Sequence, residues 1–373
     1  MLLISLCAIG VFIILALMHH QQTVTECIGL GYDNSWKFYS KTMFFVFFAT
    51  LLIMVSTLRY GFIDTYAYKI MYESARGDLR YVNSAPWGVE AGWLYFCYYL
   101  NFITDNTKLI LFLTALIVNV AYVSIIKKYS CDSVFSLFIY FCVLFLDTNN
   151  GMRQMFAAAI VILAFPLLTR KKVFSYILYI LLVLLAYQLH ESSIYCLVIA
   201  FIALGKPLNF KVVLAIGICI VFLLAPSLVN EYIGDLFSES KYLFYLAIDN
   251  GMSILRALSM GVVPLALSLI YIYRSKSKNI EIAYDESVLL NMVILNSVFI
   301  LMGLVMQYWA RFAFYTYFAS FIMIPKLIHQ VFDKKDRTYL KFIAYLCYFV
   351  FFAYNIYANV TNGALDKFYI SLL

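Results

Sequence analysis

Four arginines stand at the edges of apolar runs: Arg59, Arg153, Arg256 and Arg311. Arg153 opens the stretch RQMFAAAIVILAF, so its backbone enters an apolar run at once. A charge held at membrane depth costs roughly 3 kcal/mol. The planar fork of arginine binds phosphate or carboxylate at two points. These arginines therefore indicate an anion site at a membrane edge. Contacts of each one with lipid headgroups are the alternative reading.

Two titratable residues could supply proton chemistry beside such a site. His190 closes the apolar run LLVLLAYQLH and can accept a proton near neutral pH. Its alternative role is that of an interfacial histidine that only forms hydrogen bonds. Asp64, in RYGFIDTYAY, could act as a base, orient a sugar hydroxyl, or only pair with Arg59.

Metal and cofactor motifs are not found in the sequence. A zinc motif H-E-x-x-H starting at His190 would need a second histidine where Ile194 stands. The chain has no D-x-D carboxylate pair and no glycine-rich phosphate loop. We therefore predict neither a metal nor a cofactor.

The elements that position these residues must be membrane helices. Hydrophobic residues make up 64% of the 373 residues, charged residues only 13%, and the mean hydropathy is +0.88. Soluble domains of ordinary composition do not reach these values. We predict an all-α polytopic membrane protein with a single transmembrane domain over residues 1–373. The net charge of +7 reflects lysine clusters between apolar runs, so nucleic acid is not a predicted partner.

The lysine clusters also predict the topology, since basic loops stay in the cytoplasm. We predict about twelve transmembrane helices, within a range of roughly 11 to 14, with both termini outside. The segment 88–103 is short, aromatic and carries Glu90, which favours an interfacial or re-entrant helix. Residues 59–106 and 230–253 are then large external segments. The predicted spans lie near residues 2–18, 42–58, 107–126, 132–148, 152–169, 173–190, 191–205, 211–229, 254–273, 287–306, 308–329 and 340–357.

The predicted topology divides the cations by residue type. Of 17 basic residues assigned to the cytoplasm only 3 are arginines, whereas 6 of the 10 assigned to the outside are arginines. Orientation in a membrane needs only charge, which lysine supplies. The external excess of arginine therefore indicates an anionic ligand on that side.

Five segments in this order resemble the EpsG-like branch of the Wzy-type polysaccharide polymerases. One departure is Phe62-Ile63, which stand where the family often has a second glycine before the acidic residue. The five segments are LRYGFIDTYAY, VEAGWLYF, NNGMRQMFAAAIV, LHESSI and ARFAFYTYFASFIMIP, within residues 58–325.

The resemblance implies a metal-independent enzyme that joins oligosaccharide repeat units on the outer face of the bacterial cytoplasmic membrane. Its substrate would be an oligosaccharide carried on undecaprenyl diphosphate in the lipid bilayer. A flippase and a chain-length regulator of the same pathway are further candidate partners. Arg153 with Arg311 and Arg59 would hold the diphosphate, and His190 or Asp64 would take the proton from the attacking hydroxyl. The other predicted substrate-binding residues are Tyr60, Glu90, Gln154, Arg256 and Trp309.

Two other classes of protein fit parts of the sequence. A transporter or flippase of lipid-linked oligosaccharides would also have many spans and buried cations, but no internal repeat of transporter halves is evident. A membrane O-acyltransferase could use His190 as its base. Its acyl-CoA donor would be cytosolic, whereas the predicted topology places His190 outside.

Overall fold

The computed structural model describes residues 7–18, 34–225 and 251–361. These residues form α-helices joined by short turns and contain no β-strand. The helices are α1 (Cys7–Met18), α2 (Asn34–Leu58), α3 (Thr65–Ser74), α4 (Leu79–Ser84), α5 (Ala91–Leu100), α6 (Lys108–Tyr129), α7 (Ser133–Thr148), α8 (Met152–Thr169), α9 (Val173–Tyr187), α10 (Tyr195–Ala203), α11 (Phe210–Leu224), α12 (Ile254–Ser277), α13 (Tyr284–Met302), α14 (Tyr317–Val331) and α15 (Lys334–Thr361). Shorter helical turns lie at Pro86–Gly88, Glu191–Ile194, Gln307–Ala310 and Arg311–Tyr315.

The predicted all-helical class is confirmed for the described residues, and helices occur at each predicted span. Five of them, α6, α8, α12, α13 and α15, are long and apolar enough to cross a membrane. Others, such as α9 and α11, are apolar but shorter. The predicted number of about twelve spans therefore remains a prediction. Of the predicted external segment 230–253, only residues 251–253 are described.

Helix α5 is too short to cross a bilayer by itself. Its ten residues extend for about 15 Å, roughly half the thickness of the hydrocarbon layer. It lies between the turn Pro86–Gly88 and the start of α6, in the segment predicted to be interfacial or re-entrant.

The centre of the bundle is formed by helices that are buried on nearly all sides, chiefly α7, α8, α13 and α14. On α8, Ala157, Ala158 and Ala159 have no exposed surface, and such small side chains let neighbouring helices approach closely. Several polar groups in this interior find protein partners, which a membrane interior favours. Asn296, for example, donates to the carbonyl of Met260 in the π-helical turn of α12 at 3.2 Å.

The turns between helices gather at two ends of the bundle. At one end the Asp64 N–H donates to the Asn150 side chain, and the Glu191 N–H donates to Glu90. We call it the arginine end, because the described arginines predicted to be external all lie there. These are Arg59, Arg76, Arg80, Arg153, Arg256 and Arg311.

The opposite end is rich in lysine. Lys341 pairs with Asp132 at 2.5 Å and Lys326 pairs with Glu286 at 2.8 Å. The division of cations expected from the sequence is thus seen as a division between two ends of the fold. Which end faces outside remains a prediction.

Candidate active site

Glu90 is the centre of a cluster of charged side chains at the arginine end. Its Oε1 accepts hydrogen bonds from Nδ1 of His190 and from the N–H of Glu191, both at 3.0 Å. Its Oε2 pairs with Nη1 of Arg153. The three side chains are largely buried, at 10% exposure for Glu90, 21% for Arg153 and 22% for His190. They are separated by 63 and 100 residues in sequence, so only the fold brings them together.

The surroundings of Glu90 keep it ionised. Burial on its own would raise the pKa of this carboxyl group. The hydrogen bond with His190, the charges of Arg153 and His190 and the N–H of Glu191 outweigh burial and lower the pKa to about 2. Glu90 is therefore an anion throughout the physiological pH range.

A glycine explains how Glu90 reaches His190. At Gly92, in the first turn of α5, a Cβ would stand 2.3 Å from the carbonyl oxygen of Gln188. Only glycine allows α5 to lie this close to the end of α9, where His190 follows. The next residue, Trp93, is fully buried and packs edge-on against Tyr68 at 5.7 Å. The E-x-G-aromatic segment is thus a docking element for Glu90.

We expect Gly92→Ala to lower both stability and activity. The added methyl group must push α5 away from a backbone carbonyl, and overpacking of this kind costs about 1–3 kcal/mol. The shift would also separate Glu90 from His190. Thermal unfolding and the rate of product formation of the purified protein measure the two effects. Gly217→Ala is the matched control, since nothing lies within 4 Å of its Cβ position in α11. Equal behaviour of the two variants would contradict the docking role.

The contact with Glu90 gives His190 a defined chemical role. A carboxylate that accepts a hydrogen bond from Nδ1–H holds the neutral ring in the tautomer whose Nε2 is a free base. Among the described residues, Glu90 is the hydrogen-bond partner found for this ring. Glu90 and His190 therefore form a carboxylate–histidine pair suited to removing a proton. The sequence indicated both residues but did not link them.

Asp64 and Arg311 lie at the exposed mouth of the same cluster. Burial raises the pKa of the Asp64 carboxyl group, and the charges of Arg311 and Arg153 partly oppose this effect. The side chain nevertheless keeps exposed surface. Asp64 is thus near both arginines and accessible. Its N–H is held by the Asn150 side chain at 3.3 Å, which ties it to the turn before Arg153.

The turn that presents Asp64 contains a strained residue. Ile63 adopts φ of 42°, in the left-handed region that a β-branched residue rarely occupies. It lies in the Phe62-Ile63 pair, which precedes Asp64. The turn therefore places a bulky residue in a backbone conformation that glycine adopts easily, at some cost in strain.

Tyr68 is a site residue that the sequence reasoning did not single out. It is 6% exposed and lies beside Arg153, whose positive charge acts on its hydroxyl group. Its position as the last residue of the segment DTYAY, four residues after Asp64, was the available signal. Tyr68 thus forms part of the surroundings of Arg153 on the side of α3.

Gln154 belongs to a buried polar group directly beneath the charged cluster. Its amide donates to the carbonyl of Arg311 at 3.1 Å and to Ser192 Oγ at 3.3 Å. Ser192 in turn shares a 2.8 Å hydrogen bond with the hydroxyl of Tyr315. These bonds join α8, the turn after His190 and the turn that carries Arg311. Ser192 and Tyr315 were not predicted, and Gln154, at 6% exposure, lies below the surface of the site.

Arg59 lies behind the cluster and is 2% exposed. Its guanidinium donates to Thr65 Oγ1 at 3.2 Å, to the carbonyls of Ser56 and Asn149, and to the sulfur of Met152. It thereby satisfies the carbonyls at the ends of α2 and α7. The alternative pairing with Asp64 is not among these contacts.

Three other predicted residues make their described contacts away from Glu90. Arg256 pairs with Asp147 at 2.9 Å. Trp309 packs against Phe222 at 5.2 Å. Tyr60 is 46% exposed, and Lys69 lies over its ring at 4.9 Å. The contacts described for these three residues are with side chains outside the charged cluster.

The described residues contain no group of three or more histidine, cysteine, aspartate or glutamate side chains arranged to hold a metal ion. The cation-rich part of the site is formed instead by Arg153 and Arg311, with Tyr68 beside them.

These observations define a class: a multi-pass α-helical membrane protein with a buried, arginine-rich polar site at one end of the bundle. The chain belongs to the EpsG family, whose model matches residues 42–368. EpsG-like proteins are a family of Wzy-type polysaccharide polymerases. The resemblance read from the sequence is therefore confirmed. No curated protein and no solved structure is significantly similar to the chain.

Proposed function

We propose that the protein joins polyprenyl-diphosphate-linked oligosaccharide repeat units into a polysaccharide. Membership of the EpsG family supports polysaccharide polymerisation in general. The observation that carries the specific proposal is the contact of one carboxylate, Glu90, with both an arginine and a histidine. This cluster combines a group for a phosphate with a group for a proton, the two needs of glycosyl transfer from a lipid diphosphate.

In this reaction Arg153 and Arg311 bind the diphosphate of the donor. The bond between the anomeric carbon and the diphosphate oxygen breaks, and negative charge grows on the leaving group. Cations held in a partly buried site stabilise this charge without further reorganisation. Asp64 lies near both arginines and is accessible. We expect it to contact the sugar beside them, which corresponds to the predicted role of orienting a sugar hydroxyl.

His190 acts as the general base for the acceptor. A hydroxyl at the end of the acceptor unit attacks the anomeric carbon, and its proton passes to Nε2 of His190. Glu90 orients the ring and stabilises the imidazolium that results. The lipid diphosphate leaves with the bonding electron pair, so the step is balanced without an additional reactant.

The remaining predicted residues divide into two groups. Arg59 and Gln154 support the site, because their hydrogen bonds go to protein groups that carry Arg153, Ser192 and Arg311. Substrate contacts of Tyr60, Arg256 and Trp309 would lie further along the bound oligosaccharide.

The proposed setting is the cytoplasmic membrane of a bacterium, with about twelve spans and the arginine end on the outer face. The external excess of arginine and the lysine-rich opposite end support this orientation. A flippase and a chain-length regulator would act in the same pathway.

The test is a product ladder formed by the purified protein from lipid-linked repeat units, with and without EDTA. We expect extension in both samples, since arginines supply the charge that divalent cations supply elsewhere. Loss of the ladder on chelation, with rescue by Mg²⁺ or Mn²⁺, would contradict metal independence. A folded protein that never extends these substrates would contradict the polymerase proposal.

A further inference from the structure

We propose that the ion pair between Glu90 and Arg153 acts as a latch. The donor diphosphate displaces Glu90 from Arg153 when it binds, and Glu90 then no longer divides its charge between Arg153 and His190. This inference rests on the proposed function and adds an order of events to it. It assigns Glu90 as a positioning residue instead of a substrate-binding residue, the role expected from the sequence.

Glu90 contacts Arg153 and His190 through different oxygen atoms. Arg153 is bound through Oε2 of Glu90, whereas His190 and the N–H of Glu191 are bound through Oε1. Two of the three partners thus hold one oxygen in place. The Arg153 contact can break while the carboxylate stays where it is.

The guanidinium of Arg153 is only partly hydrogen-bonded. Its Nη1 is bound to Glu90, but its Nε is buried and has no hydrogen-bond partner among the described residues. A buried donor without an acceptor is costly and calls for an explanation. A phosphate group can accept from Nε and Nη together in the bidentate mode that arginine favours. The resting site therefore has an unused donor where a diphosphate would bind.

The difference in charge favours a diphosphate over Glu90 as the partner of Arg153. Glu90 offers Arg153 a single negative charge that it already shares with His190. A diphosphate carries more charge and more acceptor oxygens, so it competes successfully for the guanidinium. Once the diphosphate binds Arg153, the full charge of Glu90 faces His190 and stabilises the imidazolium that forms when the acceptor proton is transferred. The base then becomes most effective when the donor is in place.

The experiment compares the wild-type protein with Glu90→Gln. Isothermal titration with inorganic pyrophosphate measures anion affinity, and the product ladder measures turnover. The neutral amide no longer competes for Arg153, so we expect pyrophosphate to bind at least about threefold more tightly. Turnover should fall at least about tenfold, because His190 loses its charged partner. Glu73→Gln, the same change at an exposed position on α3, should alter neither quantity.

Unchanged or weaker binding of pyrophosphate by Glu90→Gln would overturn the latch, since a ligand role or a purely structural role both predict it. Glu90→Ala is expected to give the same opposite changes and serves if the glutamine variant does not fold. Failure of the proposed function is distinguishable, because the wild-type protein would then form no ladder, whatever its affinity for pyrophosphate.

Discussion

Replacement of Arg153 by lysine is expected to reduce polymer formation about 100-fold at an unchanged level of folded protein. Lysine keeps the positive charge but cannot hold a phosphate through two parallel N–H groups. It also cannot pair with Glu90 in the way the guanidinium does. Polymer per unit of membrane protein measures the effect.

Arg80→Lys is the matched control for this variant. Arg80 is exposed on α4, also at the arginine end, so the same substitution there should leave polymer formation intact. Arg311→Lys is expected to act in the same direction as Arg153→Lys. Near wild-type polymer from both Arg153→Lys and Arg311→Lys would exclude the bidentate role of these residues.

Replacement of His190 by glutamine is expected to slow chain extension by a factor of about 10²–10⁴, the usual contribution of a general base. Glutamine can still donate a hydrogen bond to Glu90, so the local structure should persist, but it cannot accept a proton. Binding of the lipid-linked donor should change little, because Arg153 and Arg311 are untouched. Initial rates and donor affinity, measured on the same preparation, separate these effects.

His329→Gln provides the control for the histidine substitution. His329 is exposed at the lysine end and contacts Arg337, so its loss should not affect extension. A loss of donor affinity in His190→Gln as large as the loss in rate would show that His190 binds the substrate instead of taking a proton.

One side chain contacts both the residue proposed to bind the diphosphate and the residue proposed to act as the base. Glu90 was expected to bind the substrate, and its described contacts are with Arg153, His190 and the Glu191 backbone. This arrangement suits an enzyme that must not activate an acceptor before the donor is present.

Several features were predictable from the sequence because their causes are local. The helices follow from runs of apolar residues, since a chain in a membrane must satisfy its backbone hydrogen bonds within each helix. The arginines at the edges of these runs were visible for the same reason. The separation of arginines from lysines was visible because the lysine clusters between apolar runs predict which loops are cytoplasmic. The short motifs around Asp64, Arg153 and His190 pointed to the family that the comparison confirmed.

Only the tertiary structure decided which of these residues act together. The sequence favoured Arg153 and Arg311 among four arginines, because a long apolar run follows each of them, but it could not show what any of the four contacts. In the structure, Arg59 donates to backbone carbonyls and Arg256 pairs with Asp147, whereas Arg153 keeps a buried donor without a partner among the described residues. Glu90 meets His190 across 100 residues of chain because Gly92 lets α5 approach the carbonyl of Gln188. Local patterns specify helices, since each turn depends on residues three and four positions away. The pairing of charges depends on how closely whole helices pack, which no local pattern specifies.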